Sequence, residues 1–195
     1  MTQSTPGMQE GLTAFRFNFD QFERMFAEGV LKRSRGGIQL LDGQLVEMTP
    51  TSDPDGIVSA ELAYQLHAGL RAAGLRGELD IRTHSTLKLD SFSAPEPDVD
   101  VVKHNDRRPY ATAPDAVLVI EVSLSTQETD ASRKSPLYAR AGIPELWIVE
   151  PAARLVRVFR DPRPDGTWGH EAVVTEGVVT PLFSDQVRVD LAELF

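Results

Sequence analysis

Two runs, AVLVIEV (116–122) and ELWIVE (145–150), are apolar at nearly every position, and a helical segment, SPLYARAG (135–142), lies between them. Strands without alternation are covered on both faces, the condition of strands inside a parallel sheet. Gly142 and Pro144 close the helix before the second run begins. A strand, a helix and a second strand in this order make a crossover unit, with parallel strands and a right-handed connection. Few other constraints on the fold are as strong, and they commit the chain to the α/β class.

The first run also carries a difficulty. Glu121 interrupts it near its end, and an ionised carboxylate in a sheet interior costs several kcal/mol, roughly, unless a cation or metal compensates it. The strand supplies neither, so compensation must arrive from outside it. Without it, Glu121→Ala is expected to leave the metal-free fold as stable as before, or more so.

The rest of the chain supports one α/β domain. FNFDQFERMFAEG places Phe19, Phe22 and Phe26 at helical spacing and stops at Gly29. GIQLLDGQLVEM holds Asp42-Gly43 between apolar stretches, a strong hairpin signal. A long helix follows, with Val58, Leu62, Leu66 and Leu70 on one face. GELDIRTHSTLKL (77–89) alternates from Leu79 through Leu87 and Leu89 as one half-buried strand, and PDVDVVK reads as another. The tail, RLVRVFRD, HEAVVTEG and VRVDLAELF, reads as added short strands. No linker divides residues 1–195, and residues 1–13 read as a flexible start.

Composition excludes several functions. The chain has no cysteine, which removes disulfides, thiolate nucleophiles and cysteine-ligated zinc. Its N-terminus has no basic and apolar leader, and no apolar run approaches membrane-spanning length. A cytoplasmic protein that does not enter membranes is expected. A net charge of −9 argues against broad, nonspecific nucleic-acid binding, which needs a positive surface, although catalytic metal sites also concentrate acidic residues. Phosphate-loop, nucleophile-elbow, zinc-helix and dinucleotide motifs are missing, and His67, His84, His104 and His170 show no ligand spacing. The four histidines read as structural or solvated.

Candidate chemistry gathers around Glu121. In PEPDVDVV, alternation puts Asp98 and Asp100 on one face of a strand and Val99 and Val101 on the other. Either Asp98 joins Glu121 at a hard-oxygen site for magnesium or manganese, or Asp98 opens the strand and Asp100 faces water. If Ser132 caps the next helix, Lys134 lies in its first turn, beside the face of Leu137 and Tyr138. It then either points inward towards the carboxylates or snorkels at the surface. Asp130 is a helix-start anion or an orienting partner for Lys134. Lys103, Arg107 and Arg108, in KHNDRRPY, are candidate phosphate contacts or a solvated loop.

Proline-aspartate on one strand, glutamate on the next and lysine on the following helix resemble the PD-(D/E)XK nuclease superfamily. More specifically, LLDGQLVEM, PDVDVV and IEVSLSTQETDASRKSPLYARAGIPELWIVEP are similar to the Uma family of putative restriction endonucleases. The resemblance implies a restriction-endonuclease-like core, a mixed central sheet flanked by helices. It implies a metal held by Asp98, Glu121 and the backbone carbonyl of Val122, with Lys134 catalytic. Ser123 occupies the superfamily's usual lysine position, and the family's lysine reaches in from the helix instead. Gln39 and Asp55 depart from the family pattern, which often has glutamate and histidine there. The implied activity is Mg2+-dependent (or Mn2+-dependent) hydrolysis of DNA by a homodimer. A catalytically silent nuclease fold serving as a binding or regulatory module, and a purely structural protein, are the competing readings.

Overall fold

The computed structural model describes residues 13–31, 37–48, 53–105, 108–123 and 130–195, with backbone alone for 53–55 and 130–132. Residues 1–12 of the expected flexible start (1–13) and the candidate Arg107 lie outside these residues, as do the side chains of Asp55, Asp130 and Ser132.

Helix α1 (Phe19–Ala27) begins at Asn18, whose side chain accepts the Gln21 N–H while the Gln21 side chain accepts the Asn18 N–H. That reciprocal cap satisfies two otherwise orphaned donors. A two-stranded hairpin, β1 (Ile38–Leu41) and β2 (Gln44–Glu47), turns at Asp42-Gly43. Both turn residues have positive φ, 51° and 79°, the conformation that matches the twist of flanking strands. Helix α2 (Asp53–Ala72) leads to β3 (Leu79–Thr83).

Here the structure departs from the single strand expected over 77–89. His84 takes a left-handed φ of 45°, ending β3, and β4 (Leu87–Lys88) pairs in a separate small sheet with β6 (Ala111–Thr112). Apolar alternation survives the break because Leu87 and Leu89 are buried in a neighbouring core. Alternation reports burial, not continuous pairing.

The central sheet adds β5 (Val99–Lys103), β7 (Ala116–Val122), β8 (Glu145–Glu150), β9 (Leu155–Pro162) and β10 (Trp168–Val174), in the spatial order β10-β9-β8-β7-β5-β3. Strands β7 and β8 are parallel, as the crossover argument requires, and the other pairs are antiparallel. The first two tail strands extend this sheet. The final segment divides into β12 (Val189–Asp190), paired with β11 (Val178–Val179), and a helical turn, α4 (Leu191–Leu194), where a strand is expected. Asp190 ends that strand by accepting the Ala192 N–H, a helix N-cap.

The crossover helix α3 (Asp130–Arg140) starts before Ser132, the expected cap, and Pro136 lies inside it. Lys134 therefore lies in its second turn. Each sheet face has its own core. Val58, Leu62, Leu66 and Leu70 of α2 pack with Val99, Val101, Leu118 and Ile120 on one face. Leu137 and Tyr138 of α3 pack with Val102, Val119 and Leu146 on the other.

Candidate active site

Glu121 follows Val119 by two residues on β7, so it shares the face covered by α3. From α3, Lys134 and Tyr138 are four residues apart and reach it side by side. Lys134 Nζ lies 3.2 Å from Glu121 Oε2, and the Tyr138 hydroxyl donates to Glu121 Oε1 at 2.5 Å. Lys134 also lies 3.5 Å from the carbonyl oxygen of Glu96. All three side chains are buried, Lys134 with 2% and Glu121 with 3% exposure. Compensation for the buried carboxylate is thus an ammonium and a phenol from the crossover helix. Tyr138 was hidden in the sequence because a tyrosine on a packing face reads as core; its spacing from Lys134 is the signal for it.

Asp98 stands just before β5, and its Oδ2 accepts the Val122 N–H at 2.7 Å. Because Val122 adjoins Glu121, this bond holds the Asp98 carboxylate against the backbone beside Glu121. Ser123, buried, comes next and donates its N–H to Val149 O at 2.8 Å. The structure therefore gathers Asp98, Glu121, Ser123 and Lys134 around the end of β7.

Asp100 behaves differently. It is buried rather than solvated, and its cross-strand partner Arg82 binds both carboxylate oxygens, with Arg82 Nε 3.1 Å from Oδ1 and the guanidinium also on Oδ2. Burial pushes its carboxyl up to about 6 against the pull of Arg82. Lys103 donates to Pro114 O at 3.1 Å, and Arg108 binds Thr112 and Asp115 at 3.1 and 2.8 Å. These two cations of the basic segment brace the turn at 112–115.

His84 places Nδ1 3.6 Å from Asp98 Oδ1 and is half exposed. Away from these contacts, Gln39 is buried on β1, and its Oε1 has no hydrogen-bond partner among the described residues.

A family model for Uma2, described as a putative restriction endonuclease, matches residues 19–192. The chain belongs to the Uma2 family. None of the curated proteins compared with it matches. Among solved structures it is similar to one described as a putative nuclease belonging to DUF820, from Anabaena variabilis ATCC 29413, with a TM-score of 0.72 and 14% identity over 92% of this chain and 97% of that one. That likeness shows the fold, a mixed sheet with flanking helices.

Uma2 membership brings a divalent ion into consideration, and the donors here fit one. Asp98 and the end of β7 are joined by a hydrogen bond, the side-chain donors are hard oxygens, and the chain offers no thiolate. Among the described residues no group of three or more His, Cys, Asp or Glu side chains is gathered at metal-binding distance. Magnesium sites of the kind held by one or two carboxylates, with water and substrate phosphate completing the shell, need no such group. No helix among the described residues is long and apolar enough to cross a membrane.

Proposed function

We propose that this protein is a divalent-metal-dependent endonuclease hydrolysing DNA phosphodiester bonds. The observation that supports it most is that Lys134 reaches Glu121 at the end of β7, beside the Val122 N–H that Asp98 accepts. Asp98, Glu121 and the carbonyl of Val122 would hold the ion, Mg2+ or Mn2+. When bound, it polarises a phosphodiester and lowers the pKa of water.

The chain's own residues do the rest. In hydrolysis a water oxygen bonds to phosphorus and gives up a proton as the bond to the sugar oxygen breaks, and the sugar oxygen takes up a proton to leave as the hydroxyl. Lys134, whose Nζ lies between Glu121 and the Glu96 carbonyl, orients that water and stabilises charge gathering on the phosphate oxygens. Tyr138 fixes the direction of Glu121 by donating to its other oxygen. Cutting both strands favours two symmetric centres, so a homodimer is expected.

One observation favours a second reading, a nuclease fold retained for binding or regulation: Glu121 is compensated by Lys134 and Tyr138 with no ion required. Plasmid and single-stranded DNA incubated with Mg2+ or Mn2+ separate the two. Cleavage by the wild type and none by Asp98→Asn is expected; equal products from both proteins would end the endonuclease reading.

A further inference from the structure

Helix α2 buries one apolar side and leaves a second one in water. Val58, Leu62, Leu66 and Leu70 are at most 7% exposed against the sheet, while Ile57 and Tyr64, on the opposite side of the helix, are 70% and 68% exposed. Of the large apolar side chains exposed among the described residues, these are the two that share one helix. Ala60 and Ala68 are exposed on the same side, three or four residues from Ile57 or Tyr64. From Ile57 to Ala68 the line of this side carries no charge, and Glu61 and His67 flank it. A helix apolar on both sides is ordinarily covered on both.

We propose that two copies of the chain associate through this side of α2, antiparallel about a two-fold axis at Tyr64. The pattern reads alike from either end. Ala60 and Ala68 lie four residues before and after Tyr64, and Ile57 and Arg71 lie seven before and after it. A two-fold contact requires such self-complementarity, because one patch must fit its own copy, whereas a foreign partner requires none. Long side chains on a helix lean towards its N-terminus. Each Tyr64 ring therefore lies over Ala60 of its own helix and meets Ala68 of the second copy, so the two rings fill separate gaps between small residues. Ile57 meets the aliphatic stem of Arg71 from the second copy. This association does not depend on the endonuclease reading. Because α2 covers the sheet face opposite α3, both candidate centres stay open on the outer sides of the pair.

One helix pair buries less than the roughly 1,600 Å2 of a standard interface, so the association should depend on concentration. Sedimentation of the full chain from about 1 to 200 µM should show monomer giving way to dimer. Tyr64→Glu, which sets two like charges at the axis, should stay monomeric throughout with an unchanged circular dichroism spectrum. The absence of cysteine allows a geometric check. Under mild oxidation a mixture of Ala60→Cys and Ala68→Cys should cross-link, because the axis brings these positions together, while either variant alone should cross-link no more than Val173→Cys, exposed on β10. Dimer that persists in Tyr64→Glu would overturn the assignment of this face, and equal cross-linking in the mixture and in either variant alone would overturn the antiparallel arrangement. A wild type monomeric at every concentration would overturn the proposal altogether and leave the face to a partner of another sequence.

Discussion

Lys134 is the second half of the explanation for Glu121, because a buried ammonium needs its carboxylate as much as the reverse. Truncating Glu121 leaves that cation opposite an alanine, and breaking a buried pair from one side costs about 3–5 kcal/mol. Glu121→Ala should therefore lower metal-free stability by that amount in urea unfolding, opposite to the neutral or stabilising effect expected when the carboxylate is thought to lack a cation. A catalytic role for the ammonium depends on where it lies, not on the backbone position that carries it. Ser123 is two residues beyond Glu121 and buried with it, so Ser123→Lys combined with Lys134→Ala should recover part of the cleavage lost in Lys134→Ala alone. Full cleavage by Lys134→Ala would show that the lysine is not catalytic. At residue 115 the electrostatics run the other way. Burial works to raise the Asp115 carboxyl, but hydrogen bonds from the Thr112 hydroxyl and N–H, together with Arg108, outweigh it and hold it below the ordinary value of 3.8. A carboxylate lowered in the folded state binds fewer protons there than in the unfolded chain. Its stabilisation is present above the unfolded value and is lost as pH falls through the folded one. Urea unfolding of wild type and Asp115→Asn between neutral pH and pH about 3 should show the wild type's advantage shrinking at the acidic end.

At the scale of elements, Glu145 does for the tail what Glu121 does for the site. Fully buried at the start of β8, it receives Arg160 of β9 at 2.7 Å, the Trp147 indole at 3.0 Å and the Leu182 N–H at 2.7 Å. Arg160→Met should cost about 3–5 kcal/mol by leaving that carboxylate without its cation, and limited proteolysis should then cut first after residue 175. The crossover β7–α3–β8 was legible in the sequence because unbroken apolar runs have few other uses, and Asp98, Glu121 and Lys134 stand out there through family resemblance, with Lys134 found on Glu121 and Asp98 on the Val122 N–H. Three features were not. The break at His84 leaves no mark because the apolar pattern continues through it into a different sheet. The start of α3 at Asp130 is disguised by Pro136, since proline ordinarily belongs in a helix's first turn. The Arg82–Asp100 and Arg160–Glu145 pairs join different strands, and register cannot be read from either strand alone.

For the whole molecule, the order of the sheet has a consequence in time. Asp98, Glu121, Lys134 and Tyr138 all precede β8 in the chain, yet β8 is the neighbour that closes the open edge of β7 and accepts the Ser123 N–H at Val149. A chain being synthesised would hold every residue of the site before holding the strand that stabilises it. Parallel pairing across a helix closes a long loop and comes late in folding. Trp147, fully buried on β8, reports that event, and Trp168→Phe isolates its fluorescence. During refolding from urea, uptake of Mn2+ followed with a metal indicator should coincide with or trail the Trp147 signal; uptake that precedes it would show a site able to assemble on an unfinished sheet. The enzyme proposed here would thus be harmless while nascent, becoming competent only when the crossover has locked.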